Sequence, residues 1–277
     1  MKRDMRYKYW ISAIIIIYGI SKTYSYQNSL MTLNYDESAK VWEEALPVGN
    51  GRLGAMIFGR TSTETIQLNE ETVWAGEPGN NVVTLSKEHL QKIRQTIFKE
   101  DYQKGQQLAD KYLFKNDNNS GMSYQTVGNL ILNFPKSDAV QDYHRDLDIS
   151  KALSAVTYKI GDVKYKRRII SSFTDDVIML ELTASKPGAI SFEMGLESPQ
   201  KKHAVRIKND AVWLSGTSSD QENKKGKVKF IAIAKPKIEG GKIVATDNSL
   251  KITGANRATI YISIATNFKN YKDLSED

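Results

Sequence analysis

Adjacent carboxylates are the residues of this chain best suited to acid–base chemistry. Two identical acids stand next to each other at Glu43/Glu44, Glu70/Glu71 and Asp175/Asp176, and these three pairs are the candidates. Hydrolysis of a glycosidic bond uses two carboxyl groups, about 5–10 Å apart, that flank the bond. Neighbouring side chains on a β-strand point to opposite faces, so an adjacent pair does not form such a dyad by itself. We interpret all three pairs as solvated surface carboxylates. Glu70 remains a candidate site residue because Asn69 and Trp74 lie near it in the sequence, close to a Gly-rich turn.

Tryptophan offers a second kind of chemistry, the binding of sugars. Trp42 and Trp74 could present a flat apolar surface to the C–H face of a pyranose ring. A buried position in the hydrophobic core is the commoner role of tryptophan, and it is the role that we expect for both residues.

Histidines and basic residues do not predict a metal or cofactor site. His89, His144 and His203 are scattered and lack the spacing of metal ligands, so we expect surface or hydrogen-bonded core histidines. A basic run lies in a predicted strand and is interpreted as a solvated face: Lys164, Lys166, Arg167 and Arg168. The sequence suggests neither a Ser–His–Asp arrangement nor a phosphate-binding loop.

A glycine motif at residues 49–54 matches the dinucleotide-binding pattern G-x-G-x-x-G. That pattern requires a strand before the glycines and a helix that begins at the third glycine. Pro47 precedes the motif and is expected to end a strand ladder, and residues 55–59 are too few for a helix. We therefore reject nucleotide binding here, which leaves a dehydrogenase a distant third hypothesis.

A β-hairpin explains the same residues better. Asn50–Gly51 is a strong two-residue turn signal, since a type I′ turn needs positive φ at both central positions. Residues 53–58 then form one strand, and residues 65–69 form its neighbour. In the second strand, Ile66 and Leu68 point to one face.

Composition limits the classes of function. The 277 residues suffice for one sizeable core, and 40% hydrophobic and 26% charged residues are ordinary for a globular protein. Five basic residues and one acid lie in residues 1–25, so the formal net charge of +7 falls to +3 for the remainder, with 34 basic and 31 acidic residues. A charge this small does not indicate a nucleic-acid partner. Because cysteine is absent, disulfides, zinc–thiolate sites and thiol nucleophiles are excluded.

Residues 1–25 have the organisation of a secretory signal peptide. A basic segment, residues 1–9, precedes an apolar core of 11 residues from Trp10 to Ile20, and small polar residues follow. The apolar run is shorter than the roughly 20 residues of a membrane-spanning helix. We expect export to the periplasm or the exterior without a stable membrane span; an uncleaved anchor is the alternative.

One short helical insertion is predicted near residues 86–113. Ser86 is the predicted N-cap of a first helix, and Leu90, Ile93 and Ile97 mark one face at helical spacing. A second helix is predicted to begin near Asp101. Its expected buried side consists of Leu108, Tyr112 and Leu113.

Alternation with period two dominates the chain after residue 126. The apolar members of five such runs are Leu130, Leu132, Phe134; Val156, Tyr158, Ile160; Ile178, Leu180, Leu182; Val228, Phe230, Ala232; and Ile260, Ile262, Ile264. Gly-, Pro-, Asn- and Asp-rich turns separate the runs. The pattern predicts an all-β fold, a large antiparallel β-sandwich (supersandwich), formed by residues 26–277 as a single domain.

Two motifs carry a resemblance to a known family. The run ALPVGNGRLGAMIFG, followed by QLNEETVWAG, is similar to the start of the N-terminal domain of glycoside hydrolase family 95, the α-L-fucosidases. YQTVGNL at residues 124–130 resembles that family's YQPLGDL strand, from which Thr126 and Asn129 depart. The resemblance extends over residues 33–267, nearly the whole chain after the leader.

The resemblance implies that this chain is a β-sandwich module without the catalytic residues. In that family the inverting chemistry belongs to a later helical barrel, which supplies a glutamic general acid and an aspartate that activates water. The chain ends at Asp277, about where the sandwich should hand over to a helical linker, so no catalytic residue is carried over. The resemblance therefore implies two partners, the helical-barrel catalytic domain and, for the full-length enzyme, a fucosylated glycan.

Two hypotheses follow. The first is the N-terminal module of an exported α-L-fucosidase, inactive alone; the second is a stand-alone carbohydrate-binding or adhesive β-sandwich. For either, the residues predicted to bind substrate or a neighbouring domain are Asn50, Arg52, Asn69, Glu70 and Trp74.

Overall fold

Two antiparallel sheets face each other in the computed structural model, which describes residues 31–77, 84–113, 121–137 and 139–276. The predicted leader lies outside these residues. The strands are β1 (Thr32–Tyr35), β2 (Leu46–Gly49), β3 (Leu53–Ile57), β4 (Thr63–Glu70), β5 (Gly128–Asn133), β6 (Val140–Asp148), β7 (Leu153–Ile160), β8 (Val163–Ser172), β9 (Val177–Ala184), β10 (Ile190–Glu197), β11 (Lys202–Lys208), β12 (Ala211–Thr217), β13 (Lys229–Glu239), β14 (Lys242–Ala245), β15 (Ser249–Ala255) and β16 (Arg257–Thr266). The prediction of a large antiparallel β-sandwich is confirmed.

Nine strands form one sheet in the order β1-β6-β7-β8-β9-β16-β13-β12-β11, and seven form the other in the order β14-β15-β10-β5-β4-β3-β2. The apolar faces of both sheets meet in one continuous core. Ile66 and Leu68 enter it from the seven-stranded sheet, and Ile178, Leu180 and Ile260 enter it from the other. Period-two alternation therefore predicts correctly which side chains point inward.

Strand β4 sets the frame for the site described below. Its buried face carries Glu64, Ile66, Leu68 and Glu70, so a carboxylate lies at each end of an apolar stripe. The strand pairs with β3, and its last residue, Glu70, lies opposite Leu53. Glu64 and Glu70 consequently lie at opposite ends of the sandwich.

The turn between β2 and β3 differs from the predicted type I′ turn. Gly51 has a positive φ of 92°, whereas Asn50 is not among the described residues with positive φ. The side-chain oxygen of Asn50 instead accepts hydrogen bonds from the backbone N–H groups of Arg52 (3.0 Å) and Leu53 (2.7 Å). An Asx-type side-chain contact thus replaces the expected backbone geometry.

Pro47 does not end a ladder as expected. It lies inside β2, opposite Met56, and β2 is the outermost strand of its sheet. An edge strand tolerates proline because the missing N–H would face away from the ladder. A strand therefore precedes the glycine motif after all, but strand β3 follows the motif where nucleotide binding requires a helix.

The helical insertion consists of α1 (Lys87–Phe98) and α2 (Tyr102–Leu113). The Oγ of Ser86 accepts a 3.2 Å hydrogen bond from the N–H of His89, which confirms the predicted N-cap. Ile93 is buried, but Ile97 is exposed, and the expected buried side of α2 is only half-buried.

No helix in the described ranges has the length and apolarity to cross a bilayer.

Candidate functional site

Asn50 joins the two sheets at one end of the sandwich. Its amide nitrogen donates to the carbonyl of Ser172 at 2.8 Å and to the Oδ1 of Asp176 at 3.0 Å, both at the β8–β9 turn. Its amide oxygen accepts the two N–H groups of the β2–β3 turn. The side chain is buried and uses all of its hydrogen-bonding capacity. A predicted site residue therefore fixes the relative position of two turns.

Arg52 extends this link between the sheets. Its Nη1 forms an ion pair with Asp176, and its Nη2 donates to the carbonyl of Ile264 on β16 at 3.0 Å. Its Nε lies 3.4 Å from the Oε1 of Glu70. Four charged or amide side chains, those of Asn50, Arg52, Glu70 and Asp176, thus form one cluster, which we call the Arg52 cluster.

Glu70 is not the solvated carboxylate that we expected. Its side chain is only 1% exposed, because the alternation of β4 points it inward. The Oε2 accepts hydrogen bonds from the N–H (2.8 Å) and the hydroxyl (2.6 Å) of Thr72. The Thr72 hydroxyl in turn lies 2.6 Å from that of Thr266. Arg52 and Thr72 therefore compensate the charge of Glu70 within the fold.

An aromatic pair borders the Arg52 cluster. The rings of Trp74 and Tyr124 make an edge-to-face contact, with centroids 5.2 Å apart and an interplanar angle of 66°. The hydroxyl of Tyr124 donates to the carbonyl of Glu70 at 3.1 Å, and the indole N–H of Trp74 donates to the carbonyl of Glu71 at 3.0 Å. Burial, and then the charges of Glu70 and Glu71, raise the pKa of Tyr124, so its hydroxyl stays protonated as a donor.

Trp42 and Trp74 are both exposed, so the expectation that they lie in the hydrophobic core is wrong. Trp42 lies in a short 3₁₀ turn, Trp42–Glu44, and donates its indole N–H to the Oε1 of Gln67 at 2.8 Å. Trp74 pairs with Tyr124. Each indole nitrogen has a polar partner while much of the ring faces solvent, which suits binding of a partner or a sugar.

Asn69 does not join the Arg52 cluster. Strand alternation puts it on the face of β4 opposite Glu70. Its Oδ1 is buried and has no hydrogen-bond partner among the described residues. Asn50, Arg52 and Glu70 are therefore brought together, Trp74 adjoins them through backbone and aromatic contacts, and Asn69 points elsewhere.

Sequence reasoning missed Asp176, Thr72 and Tyr124 as members of this site. Asp176 was considered only as part of an adjacent acid pair, and it bonds to Arg52 from 124 residues away. Tyr124 lies in the second family-like motif and forms an isolated bridge with Trp74, which links that motif to the first. The joint presence of the two motifs was the available signal.

A second arginine–glutamate pair lies at the opposite end of the sandwich. The Nη1 of Arg167 donates to the Oε2 of Glu64 at 2.6 Å, and its Nη2 donates to the carbonyl of Arg60 at 2.7 Å. The side chains of Arg167 and Glu64 are 2% and 1% exposed, so the interpretation of Arg167 as part of a solvated face is wrong. Burial raises the pKa of Glu64, and the charge of Arg167 opposes that increase.

Glu64 and Glu70 do not form a hydrolytic dyad. They are six positions apart on β4, or about 20 Å at the rise of a strand, whereas the two carboxyl groups of a glycosidase lie about 5–10 Å apart. Glu43, Glu44, Glu71 and Asp175 are exposed, as expected. Across the described ranges, no group of three or more His, Asp or Glu residues could hold a metal ion.

The three histidines have ordinary structural partners. His89 stacks on Tyr112 in the helical insertion, with ring centroids 3.8 Å apart. His144 lies 3.6 Å from Asp146. The Nδ1 of His203 lies 2.6 Å from the carbonyl oxygen of Gln200. The interpretation as surface or hydrogen-bonded residues holds for His144 and His203, whereas His89 is half-buried and held by aromatic stacking.

Comparisons with known proteins agree with the two motifs. The family model described as "Glycosyl hydrolase family 65, N-terminal domain" matches residues 33–271. The chain is 28% identical to "Alpha-L-fucosidase 2" of Arabidopsis thaliana over 264 residues, covering 86% of this chain and 30% of that protein. It is also 28% identical to "Probable alpha-fucosidase A" of Aspergillus oryzae over 263 residues, covering 88% of this chain and 35% of that protein. The chain thus spans about a third of the length of these relatives, and its resemblance to an α-L-fucosidase N-terminal domain is confirmed.

Proposed function

We propose a function from one premise: the chain belongs to the family of glycosyl hydrolase family 65 N-terminal domains. It acts as the N-terminal β-sandwich module of an exported α-L-fucosidase of family 95. The complete enzyme removes terminal α-linked L-fucose from glycans by an inverting mechanism. Two fucosidase relatives that match most of this chain support the proposal.

The catalytic groups of this enzyme lie on a helical-barrel domain outside the chain. The separation and the partners of Glu64 and Glu70 support this assignment, because each carboxylate is already bound to an arginine. The chain alone is therefore inactive. Export is supported by the basic and apolar organisation of residues 1–25.

The observation that carries the proposal is the combination of a fixed polar cluster with exposed aromatic rings at one end. Trp74 and Tyr124 border the Arg52 cluster, and Phe173, 79% exposed, follows directly after Ser172, whose carbonyl binds Asn50. Interfaces are rich in aromatic residues, and exposed apolar patches mark interaction sites. This end of the sandwich packs against the helical barrel.

The first experiment measures fucose release. The purified chain is incubated with 4-nitrophenyl α-L-fucopyranoside and with an α-linked fucosyl oligosaccharide, alongside Arabidopsis α-L-fucosidase 2. We expect release from the relative and none above the buffer rate from the chain. Sustained turnover by the chain that is lost in Glu70→Gln would contradict the proposal.

The second experiment tests the surface. Hydroxyl-radical labelling is compared between the chain alone and a longer protein in which the chain is joined to a helical-barrel domain. We expect labelling of Trp74 and Phe173 to fall in the longer protein. Phe98, which is 82% exposed on α1, is the matched control and should label equally in both. Equal labelling of all three residues would place the interface elsewhere.

A stand-alone carbohydrate-binding sandwich is the second candidate, and the exposure of Trp74 beside Tyr124 is the observation that favours it. It predicts that the chain binds an immobilised glycan array and that Trp74→Ala abolishes binding while the circular dichroism spectrum is unchanged. The control is Trp213→Ala, on β12 of the nine-stranded sheet. Binding that persists in Trp74→Ala would remove this candidate.

A further inference from the structure

A cavity opens between the sheets at the end opposite the Arg52 cluster. It has a volume of about 280 Å³ and is bounded by the β3–β4 turn, the end of β7, the start of β8 and the start of β10. Ligand pockets have volumes of roughly 300–1,000 Å³, so this cavity suits a small molecule. It lies at the Glu64–Arg167 end, and the function proposed above does not use it.

Three aromatic side chains form much of its wall. Tyr158 and Tyr165 stack with centroids 5.3 Å apart and an interplanar angle of 18°, and Phe134 lines the cavity beneath the Arg167 guanidinium, 5.2 Å from its ring centre. Leu182 and Ile190 complete the apolar lining. Such a wall favours a ligand with a flat or compact apolar body.

One buried polar group of the lining lacks a partner in the part of the chain that the structure describes. The Nε of Arg167 is buried without a hydrogen bond, although both of its terminal nitrogens are bound. Buried polar groups are normally satisfied, so this N–H can donate to a ligand that brings an acceptor.

The charges of the described lining residues are all positive. Lys136 is exposed and lines the cavity, so it lies at the opening, and it forms no ion pair with a described residue. Lys166 also borders the cavity, but strand alternation points its side chain to the outer face of the sheet, opposite to that of Tyr165 and Arg167. Arg167 lies deeper and forms an ion pair with Glu64. An anionic group on the ligand would therefore meet positive potential on entry.

We propose that this cavity binds a small carboxylate that carries one aromatic or alicyclic ring. The ring contacts Phe134, Tyr158 and Leu182, and the carboxylate lies towards Lys136 and the unbound Nε of Arg167. Neutral sugars fit less well, because the polar side chains that line the cavity are hydroxyls, lysines and one arginine rather than the amides and carboxylates that hydrogen-bond several sugar hydroxyls at once.

The test uses phenylacetate as the probe, with phenylacetamide, acetate and glucose as comparisons, and measures binding by ligand-observed NMR titration of the purified chain. We expect saturable binding of phenylacetate, several-fold weaker binding of phenylacetamide, and no saturation with acetate or glucose. Ala189→Phe, which fills the cavity from the β10 side, should abolish phenylacetate binding.

Charge is tested with the variant Lys136→Ala. Because exposed ion pairs are individually weak, we expect roughly two- to fivefold weaker binding of phenylacetate, with unchanged affinity in Lys237→Ala, an exposed lysine on β13. Unaltered circular dichroism spectra show that each variant is folded. The proposal is overturned if phenylacetate does not bind, if phenylacetamide or glucose binds as tightly, or if Lys136→Ala matches Lys237→Ala.

Discussion

The two ends of the sandwich carry the same chemical pair in different surroundings. Strand β4 supplies a buried glutamate to each end, Glu70 to one and Glu64 to the other, and each glutamate meets an arginine. The side chain of Arg52 is 38% exposed, whereas that of Arg167 is 2% exposed. Solvent therefore reaches the guanidinium of Arg52, and it does not reach that of Arg167.

This difference separates a fold-defining contact from a surface that can accept a partner. A buried ion pair such as Arg167–Glu64 is costly to break because the remaining charge has no solvent, while a half-exposed pair such as Arg52–Asp176 contributes little and is screened by salt. The Arg167 pair lies next to a cavity, and the Arg52 cluster lies next to exposed aromatic rings. Substitutions in the Arg167 pair and in the Arg52 cluster should therefore lower the free energy of unfolding by very different amounts.

The largest effect is expected at the Arg167 end. Arg167→Ala leaves Glu64 buried without its cation, and should lower the free energy of unfolding by about 3–5 kcal/mol. Urea unfolding followed by circular dichroism measures the change. A loss as small as that expected for an exposed arginine such as Arg206 would remove the distinction between the two ends.

A double variant sharpens that result. Arg167→Met/Glu64→Leu removes both charges and retains similar volumes, so it should be more stable than Arg167→Ala. The comparison separates the effect of an unpaired charge from the loss of packing. A double variant that is less stable than either single variant would show that packing, and not charge, determines stability here.

An intermediate effect is expected for Asn50→Ala in the Arg52 cluster. The change leaves the N–H of Leu53 and the carbonyl of Ser172 without their partner, and should cost about 1–3 kcal/mol. Urea unfolding measures it, with Asn34→Ala on the exposed strand β1 as the matched control. Equal stability of the two variants would show that the link between the turns does not stabilise the fold.

The smallest expected change in the free energy of unfolding is at Asp148, in the β6–β7 turn. Hydrogen bonds from Lys151, and then Ser150, lower the pKa of Asp148 from 3.8 to about 2. A lowered carboxyl pKa stabilises the folded state above pH 3.8, and this contribution is lost as the pH falls towards 2. The stability difference between the wild type and Asp148→Asn should therefore shrink over that interval, as measured by urea unfolding at each pH. A difference independent of pH would contradict the pKa shift.

Local patterns predicted much of the fold. The alternation that pointed Ile66 and Leu68 inward is a property of any half-buried strand, and the N-cap at Ser86 depends only on a residue three positions later. Both signals lie within a few residues. The sheet order, by contrast, depends on contacts that no short window contains.

The candidate site was only partly predictable. Applied consistently, the same alternation places Glu64 and Glu70 on the inner face with Ile66, and Arg167 on the inner face with Ile169. We expected Glu70 and Arg167 at the surface because charged residues are seldom buried without a partner. Arg167 and Glu64 are 103 positions apart, and Arg52 and Asp176 are 124 positions apart, so only the tertiary structure identifies these pairs.

The buried face of β4 has a further consequence for how this strand selects its alignment. Shifting β4 by two residues against its neighbours would preserve the in–out alternation, but it would move a carboxylate into the position of Ile66 or Leu68, where no arginine is available. A one-residue shift would turn the whole apolar stripe outward. The two acidic residues therefore disfavour shifts by two residues, the apolar stripe disfavours shifts by one, and together they favour a single alignment of the strand.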